Sequence, residues 1–554
     1  MDLIHFMLQS FFNTLFSRFN DQSKNISSAA VIIGGATLAA KLLGVLRDRV
    51  LAGEFGATRI LDIYYASFRI PDLIYNLLVL GTISAAFIPI FSDYIKKDMK
   101  EAWRLVNTVI TILFVALVAV LVMIVFFTTP IMKLLTPGFS ETDLALTSKI
   151  TRIMLLSPIF LGISGIFSSM LQTYKRFIIT SLAPIVYNVG IIFGAIFFVP
   201  WLGIYGLAWG VVLGALMHLL VQLPSSFSLG FRPQWIFDLK NRGLRLMGTL
   251  MVPRFLGLAL NQMNLLIVTV IGSTLQSGSL AIFNFANNLQ SLPLGLFAIS
   301  YAIAAFPTLS EYADDKMRFI NSFSLTFRQI MFFIIPSSAL LIILRAQVVR
   351  VTLGSGNFSW RDTRLTFDAL AFFVLSLFAQ SLIPLISRAF YALKDSMTPF
   401  YVGFVSTGLN IFLSYTFVHY SPNLGFSGKE IEALALAFSI SSIFNFLILW
   451  VLLKIKIGEL DETKIMKSTI KIAMASFCMA VVVQGLKYAL EPFFGTQTFV
   501  GIAIQGSVSG VAGILVYLIL CILLKSEEAI IFFSSIRRRL LRKYVPSETV
   551  DSNS

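Results

Sequence analysis

Long apolar stretches recur from one end of this chain to the other, and they constrain its fold more than any other feature. Residues 109–127, 178–198 and 499–524 each match the roughly 20 residues that a helix needs to cross a bilayer. The chain is 57% hydrophobic and only 13% charged, whereas soluble domains carry about 25% charged residues. Because lipid offers no hydrogen bonds to an exposed backbone, such spans form helices. The sequence therefore predicts an all-α, polytopic membrane protein.

Apolar runs and polar breaks together predict about fourteen spans. Their centres lie near Leu38, Leu78, Ala116, Leu161, Ile191, Leu213, Leu258, Leu296, Ile334, Leu377, Val405, Ile440, Met474 and Gly513. Lys and Arg are concentrated in alternate connections, including 96–104, 175–176, 232–245 and the tail 537–543. Since positive charge marks cytoplasmic loops, both termini are expected in the cytoplasm. The arginine-containing segment 345–364 is an exception, because this arrangement places it outside.

Residues 1–25 differ from a signal peptide and from a spanning helix, because polar residues interrupt the apolar ones. Apolar side chains instead recur at helical spacing at Leu8, Phe11, Phe12, Leu15 and Phe19. This spacing predicts an amphipathic helix lying along the membrane surface. A frayed tail is the alternative.

The net charge of +15 raises the question of nucleic-acid binding, which needs basic residues gathered on a soluble face with aromatic partners. Here the basic residues form short clusters between apolar runs, so no nucleic-acid partner is expected. The histidines, His5, His218 and His419, are far apart, without cysteine or carboxylate at metal-ligand spacing. Cys478 and Cys521 lie in late apolar segments, which favours small buried side chains over a disulfide. No metal site is predicted.

A sequence repeat links the second and eighth predicted spans. The second span ends on residues 89–94, PIFSDY, and the eighth ends on residues 307–312, PTLSEY. Both endings share Pro-x-x-Ser-acid-Tyr. Six spans separate the copies, so they have the same orientation and predict parallel repeats related by an axis along the membrane normal. Chance similarity between apolar segments is the alternative.

A second echo pairs the turn at 175–177 and Asn188 with the turn at 394–395 and Asn410, again about six spans apart. Two six-helix lobes followed by two C-terminal helices are therefore predicted. The corresponding segments are an amphipathic segment at 1–25, an N-lobe at 26–230, a C-lobe at 231–457, helices 13 and 14 at 458–526, and a basic cytoplasmic tail at 527–554.

Ionisable side chains inside the first two spans are the strongest functional signal, because a charge within a span costs several kcal/mol unless it is paired or faces water. These residues are Lys41, Arg47, Asp48, Asp62, Arg69 and Asp72. Seven positions separate Lys41 from Asp48, and seven separate Asp62 from Arg69, so each pair lies on roughly one helix face. The pairs are expected to neutralise one another or to line a polar cavity. A structural salt-bridge cluster, or snorkelling at the interface, is the alternative.

The matching spans of the second lobe carry amides instead of charges. These are Asn261, Gln262 and Asn264 on the seventh span and Asn284, Asn287 and Asn288 on the eighth. Such amides usually tie helices together, and contact with substrate or an ion is the alternative. Arg254 is a further cation of the seventh span, which either faces the cavity or snorkels to the interface.

Motifs of catalysis are absent from the sequence. It contains no Walker loop, nucleophile elbow or histidine-based motif, and no soluble segment large enough to hold a nucleotide. The chain is therefore expected to be a transporter and not an enzyme, with no cofactor. Its energy is expected to come from a Na⁺ or H⁺ gradient or from the membrane potential.

Five segments carry a family resemblance when they are taken jointly. They are 41–48 (KLLGVLRD), 61–62 (LD), 69–73 (RIPDL), 81–89 (GTISAAFIP) and 388–399 (RAFYALKDSMTP). Together they resemble the MurJ (MviN) lipid II flippases of the multidrug/oligosaccharidyl-lipid/polysaccharide exporter superfamily. The likeness covers almost the whole chain.

This resemblance implies fourteen helices in two lobes, an inner cavity lined by helices 1, 2, 7 and 8, and a polyprenyl-tail groove at the last two helices. It implies that lipid II, the undecaprenyl-linked peptidoglycan precursor, is flipped outward across the bacterial cytoplasmic membrane by alternating access. Membrane lipids and cell-wall synthesis and division proteins are the further partners expected. Carried over by position, Lys41, Arg47, Asp48, Asp62 and Arg69 would be cavity residues, and the first two would meet the diphosphate.

The sequence departs from the family pattern at two places. The family members compared carry an arginine pair where this chain has Tyr75-Asn76, and Asp-Arg where it has Asn287-Asn288. As a result, fewer cations are expected around the diphosphate than in those family members, and Arg254 is expected to supply part of the missing positive charge. The predicted substrate-binding set therefore also includes Arg254, Asn287 and Asn288. A polysaccharide-lipid flippase or an ion-coupled multidrug antiporter of the same superfamily is the alternative, and a non-transporting scaffold is a third.

Overall fold

The structure is a computed structural model that describes residues 26–77, 83–423, 425–426, 428–495 and 498–542. Side chains are described within these ranges except at 26–33, 83–85, 250, 252–261 and 535–542. The predicted amphipathic segment 1–25 lies outside the described residues.

Helices account for all regular secondary structure in the described ranges, which contain no strand. The α-helices are α1 Ile26–Phe55, α2 Arg59–Tyr75, α3 Ile83–Lys97, α4 Met99–Leu135, α5 Glu141–Met154, α6 Ser157–Thr173, α7 Phe177–Phe193, α8 Val199–Leu202, α9 Tyr205–Leu220, α10 Leu223–Ser228, α11 Arg242–Ser273, α12 Ser279–Pro293, α13 Ser300–Glu311, α14 Lys316–Ile343, α15 Arg345–Leu353, α16 Trp360–Val374, α17 Leu377–Ala392, α18 Met397–His419, α19 Glu430–Ile457, α20 Glu462–Phe494, α21 Phe499–Leu523 and α22 Glu527–Arg542. π-Helical segments at Gly194–Phe198 and Leu294–Ile299 extend α7 and α12. The predicted all-α membrane fold is confirmed.

The predicted spans correspond closely to these helices. Of the fourteen predicted centres, Leu78 lies outside the described residues and the other thirteen lie in helices. Within the described chain, ten helical stretches are long and apolar enough to cross a membrane, or eleven if the bent pair α16–α17 is one span. Helices α1 and α2, which carry the ionisable residues of the first two spans, are not among the ten.

Capping side chains fix where several helices begin. Asp98, Ser140, Asn241, Asp315 and Thr498 each accept a hydrogen bond from a backbone N–H in the first turn of the helix that follows. Each such cap contributes about 1 kcal/mol to helix stability. Short polar residues therefore mark helix starts in a chain that is otherwise mostly apolar.

The helices group into two compact units. The first unit contains the described parts of residues 1–288, together with Thr352–Thr366 and Thr407–Ala437. Within it, α7 packs on α9 through facing glycines. A Cβ added at Gly190 would lie 2.3 Å from the Cα of Gly214, and one added at Gly194 would lie 2.3 Å from the Cα of Gly210. Only glycine permits this backbone approach, which is a common way for helices to pack in membranes.

The second unit contains Leu289–Val351, Phe367–Ser406 and the described parts of residues 438–554. Its core includes the packing of α14, α20 and α21, where Phe332, Met479 and Tyr517 are buried. The Tyr517 hydroxyl donates to the Phe332 carbonyl at 2.6 Å, and a Cβ added at Gly513 would lie 2.3 Å from Val483 Cγ2. The last two long helices are thus tightly packed on each other and on α14.

The two turns of the second sequence echo have the same backbone geometry. Lys175 and Lys394 both adopt the left-handed conformation, with φ of 59° and 60°. The next N–H, of Arg176 or Asp395, bonds at 2.9 Å to the carbonyl five residues earlier, which is the six-residue bond of a Schellman motif. The helices before both turns therefore end in the same way. The lobe and tail boundaries drawn from the repeat stay a prediction.

Candidate functional site

Charged residues of α1 form a bonded cluster in the first unit. The Arg47 guanidinium donates to Asp48 Oδ1 from Nε at 3.1 Å and from Nη2 at 2.8 Å. Asn288 Nδ2, on α12, donates to Asp48 Oδ2 at 2.8 Å, and Arg47 Nη1 donates to Asn188 Oδ1, on α7, at 3.3 Å. Asp48 is 3% exposed. Both of its oxygens are therefore bonded, and its charge is compensated by Arg47.

Arg69 on α2 lies in a different kind of environment. Its Nε donates to Thr269 Oγ1 at 2.7 Å, and its Nη2 donates to Asn284 Oδ1 at 3.1 Å. Both acceptors are neutral, although Arg69 is only 8% exposed. Asp72 lies within electrostatic range of both Arg69 and Arg47. Arg69 is thus a buried cation whose direct hydrogen bonds go to a hydroxyl and an amide.

Asp62 is fully buried and binds the start of α12. Its Oδ2 accepts from Gly278 N–H at 2.7 Å, and its Oδ1 accepts from Ala281 N–H at 3.0 Å. Arg59 Nη1 lies 3.5 Å from Oδ2. The backbone approach is tight here, since Gly278 has φ +90° and a Cβ added to it would lie 2.0 Å from the Ala57 carbonyl oxygen. The geometry makes Asp62 a helix-capping carboxylate, and its contact with substrate stays a prediction.

The other predicted site residues lie on the same helices. Lys41 is half-buried on α1, and Asn287 is half-buried on α12 beside Asn288. Arg254 belongs to α11, but its side chain lies outside the described residues. The structure therefore brings Arg47, Asp48 and Asn288 together and places Arg69 in a second bonded group on the neighbouring helices.

Amides tie the helices of this unit together, as the sequence predicts. Asn410 on α18 donates to Asn264 on α11, just as Asn188 on α7 accepts from Arg47 on α1. Asn188 and Asn410 are the two amides paired by the sequence echo. Each contacts the helix that begins its own predicted repeat.

Several residues around the arginines were not predicted as site residues. Tyr64, Tyr65 and Tyr187 lie within electrostatic range of Arg47, and Thr269 accepts from Arg69. The sequence gives one reason to expect Tyr187 near the site, because it precedes Asn188 of the echo. It gives no such reason for Thr269, since threonines are common in apolar spans.

Asp395 lies in the turn between α17 and α18, within the segment 388–399 that carries part of the family resemblance. It accepts from Thr398 N–H at 3.0 Å and Thr398 Oγ1 at 2.8 Å, and it pairs with Lys456. Burial alone would raise the pKa of Asp395, but the hydrogen bonds from Lys456 and Thr398 outweigh burial and lower this pKa to about 2. The carboxylate is therefore charged at neutral pH and caps α18.

Anion binding is the chemistry that these groups suit. A guanidinium presents donors in a planar fork that matches phosphate oxygens, and a neutral acceptor is easier to displace than a carboxylate. In the part of the chain that the structure describes, no three His, Cys, Asp or Glu side chains are grouped so that they could hold a metal ion. The arginines are groups that could meet a phosphate here.

Comparison with known proteins identifies relatives over most of the chain. The sequence model of a family described as lipid II flippase MurJ matches residues 51–508. A probable lipid II flippase MurJ from Thermotoga maritima is 28% identical, over 89% of this chain and 95% of that protein. Lipid II flippase MurJ from Burkholderia cenocepacia is 28% identical, over 77% of this chain and 83% of that protein.

Solved structures give the same result. A structure described as lipid II flippase MurJ in an inward closed conformation matches with a TM-score of 0.73 and 26% identity, over 89% of this chain and 99% of that one. An inward-facing multidrug resistance MATE family transporter of the MOP superfamily matches with a TM-score of 0.63 and 15% identity, over 76% and 96% of the two chains. The second likeness concerns the fold alone.

Proposed function

Because this chain belongs to the MurJ lipid II flippase family, we propose that it moves lipid II from the inner to the outer leaflet of the bacterial cytoplasmic membrane. Lipid II is the undecaprenyl-diphosphate-linked precursor of peptidoglycan, so the protein serves cell-wall synthesis. It is a multi-pass membrane transporter. The match over residues 51–508 is the observation that carries this assignment.

The geometry of the arginines supports a diphosphate substrate. Arg69 is buried, yet its direct hydrogen bonds go to the neutral side chains of Thr269 and Asn284. A diphosphate deep in a membrane protein needs cations beside it, because an uncompensated charge in a low-dielectric site is strongly destabilised. Arg69 provides such a cation when the substrate displaces Thr269 and Asn284. Arg47 provides a second cation when its guanidinium breaks its bonds to Asp48 and binds the substrate.

The same geometry argues against export of amphipathic cations, the rival function within the superfamily. A cation exporter needs carboxylates that the protein itself does not compensate. Asp48 is paired with Arg47 and Asn288, and Asp62 is bonded to two backbone N–H groups and lies beside Arg59. The bonding of these two carboxylates favours an anionic substrate.

For the membrane orientation and the energy source we propose what the sequence predicts. Both termini lie in the cytoplasm, and the two lobes of the parallel repeat alternate access to the substrate. A Na⁺ or H⁺ gradient or the membrane potential drives the cycle. The polyprenyl tail occupies a groove at the last two long helices, and proteins of cell-wall synthesis and division are the expected partners.

The proposed function is tested by replacing the resident flippase of a bacterial host with this chain. The host flippase is depleted, and lipid II in the outer leaflet is measured as the fraction cleaved by an enzyme added outside the cells. We expect this chain to restore cleavage and growth, and Arg69→Gln to restore neither at equal membrane abundance. Inner-leaflet accumulation of lipid II despite normal abundance of the unmodified chain would contradict the proposal.

A further inference from the structure

The arginine-containing segment 345–364 is left unexplained by the proposed function. Lys and Arg are concentrated in the cytoplasmic loops of membrane proteins, yet the proposed orientation places this segment outside. Its first arginine, Arg345, begins α15 directly after α14 ends at Ile343. An ionisable residue at the edge of a span is a candidate for a functional site, and the surroundings of Arg345 within the second unit indicate which kind.

A second cation, Lys487 of α20, lies near Arg345. The two side chains are half-buried and within electrostatic range of each other. Lys487 Nζ donates to the Ile343 carbonyl at 2.7 Å, and the Arg345 guanidinium lies 5.4 Å from the centre of the Phe367 ring. Both of these contacts are with neutral groups. Glu491, a carboxylate within electrostatic range of Lys487, is exposed, so positive charge prevails around the two cations.

Two buried glutamines hold the helices that carry these cations together. Gln505 of α21 is 2% exposed and donates from Nε2 to the Lys487 carbonyl at 2.8 Å. Gln347 of α15 donates from Nε2 to Gln505 Oε1 at 3.0 Å, and a Cβ added at Gly506 would lie 3.1 Å from Gln347 Cβ. Amide bonds and close approach of this kind fix helices to one another in membranes. The backbones that carry Arg345 and Lys487 are therefore fixed relative to each other.

Lys487 lies at the depth of lipid headgroups. α20 has 33 residues and is about 50 Å long, whereas the hydrocarbon core is about 30 Å thick, so a centred helix extends about 10 Å beyond the core at each end. Lys487 precedes the helix end at Phe494 by seven residues, 487 to 494, which is also about 10 Å. Its neighbour Tyr488 is 67% exposed, and exposed tyrosines are enriched at membrane–water interfaces.

We propose that Arg345 and Lys487 together bind the phosphate of an anionic phospholipid at this face of the membrane. A guanidinium fork and an ammonium both match phosphate oxygens. Two neighbouring cations repel each other, and an anion bound to both removes this repulsion. The proposed orientation decides only which leaflet supplies the lipid, and it names the outer leaflet.

The donors of Lys487 and the exposed face of α20 suit such a ligand. An ammonium has three N–H donors. One bonds to the Ile343 carbonyl, and another makes a long contact of 3.5 Å with Gln484 Oε1, so donor capacity remains for a phosphate oxygen. On α20, Phe477 and Val481 are 70% and 57% exposed. They offer an apolar surface to the acyl chains of a lipid whose phosphate is bound at Lys487.

This site can be tested without transport. Arg345 and Lys487 belong to the second unit, whereas Arg47 and Arg69, proposed to meet the substrate, belong to the first. The full-length protein in detergent is titrated with phosphatidylglycerol or with phosphatidylcholine, and bound lipid is counted by native mass spectrometry. Each basic residue near an anionic headgroup contributes about a fivefold factor in binding. We therefore expect phosphatidylglycerol to bind about 25-fold more tightly than phosphatidylcholine.

Charge removal at the site supplies the matched comparison. Arg345→Gln/Lys487→Gln should weaken phosphatidylglycerol binding about 25-fold, whereas Arg345→Lys/Lys487→Arg keeps both charges and should retain most of the affinity. Lys316→Gln/Lys467→Gln removes the same charge from exposed lysines near the other ends of α14 and α20 and should leave the affinity unchanged.

A measurement on wild type locates the bound lipid. Phosphatidylglycerol that carries a photoreactive group at the headgroup end of an acyl chain is added to the protein, and the cross-linked peptides are mapped by mass spectrometry. We expect cross-links in α15 and in the part of α20 around residue 487. This result needs no variant, so it decides the matter if the double glutamine variant fails to fold.

Several results would overturn the proposal. Equal affinity for the two lipids, unchanged affinity in the double glutamine variant or cross-links confined to other helices would each do so. If that variant loses thermal stability and keeps its lipid affinity, Lys487 acts as a cap of α14 alone. Displacement of phosphatidylglycerol by an equal concentration of inorganic pyrophosphate would show a site for soluble anions. Displacement by an equal concentration of undecaprenyl phosphate, but not of pyrophosphate, would assign the site to the polyprenyl lipid.

Discussion

Removing Arg47 alone, and then together with Asp48, distinguishes a structural ion pair from a substrate-binding cation. Arg47→Gln removes the charge that compensates Asp48 and leaves a carboxylate that is 3% exposed and keeps its bond from Asn288. Losing one partner of a buried ion pair costs about 3–5 kcal/mol. In Arg47→Gln/Asp48→Asn the buried charge disappears as well, so the loss should fall to about 1 kcal/mol, the scale of the remaining hydrogen bonds.

Two measurements are made on each variant. The free energy of unfolding is measured by SDS titration in mixed micelles, and lipid II movement is measured in proteoliposomes and normalised to folded protein. We expect the double variant to be nearly as stable as wild type and yet inactive, because stability needs only charge neutrality whereas diphosphate binding needs the guanidinium. A double variant that flips lipid II normally would refute the substrate role of Arg47. If Arg47→Gln is as stable as wild type, the buried Asp48 carboxylate does not need Arg47 to compensate its charge.

Asp62→Asn should lose about 1–3 kcal/mol of unfolding free energy in the same SDS titration, because its new NH₂ group faces a backbone N–H. In the proteoliposome assay, lower transport per folded molecule would show that Asp62 also contacts substrate, and unchanged transport would show that it acts as a helix cap alone. Gly194→Val should prevent α7 from packing on α9, since an added Cβ would lie 2.3 Å from the backbone. Gly408→Val is the control, because an added Cβ there meets no atom within 4 Å, and size-exclusion chromatography reports assembly. The contribution of the charged Asp395 carboxylate to the stability of the folded protein should be complete above pH 3.8 and should be lost as pH falls toward about 2. This contribution is measured as the thermal stability of wild type minus that of Asp395→Asn at each pH. Lys456→Gln should make this stabilisation smaller and end its loss at a higher pH, because the hydrogen bond from Lys456 helps to lower the pKa of Asp395.

The helices were predictable because their signal is physical and local. A span needs length and apolarity, and thirteen of the predicted centres lie in helices. Asn188 and Asn410, which the echo pairs, each bond to a side chain of another helix, Asn188 to Arg47 of α1 and Asn410 to Asn264 of α11. These features depend on composition and periodicity, which a sequence displays directly.

The bonding within the site was less predictable, because it depends on which distant residues meet. The spacing of Asp62 and Arg69 left open whether they neutralise one another or line a polar cavity. In the structure Asp62 binds backbone N–H groups at the start of α12, and Arg69 binds Thr269 and Asn284. Backbone N–H groups have no sequence signature. Asn288, noted as a departure from the family pattern, bonds to Asp48 instead of adding charge.

Lipid II flipping by this protein is tested most directly with the purified chain in liposomes. Fluorescent lipid II is placed in both leaflets, and its accessibility to a membrane-impermeant quencher is followed with and without an imposed ion gradient or membrane potential. Uptake of a lipophilic cation is followed in parallel liposomes. We expect protein-dependent movement of lipid II that Arg69→Gln abolishes, with no cation transport. Cation transport by the wild-type protein without any movement of lipid II would contradict the proposed lipid II flippase function.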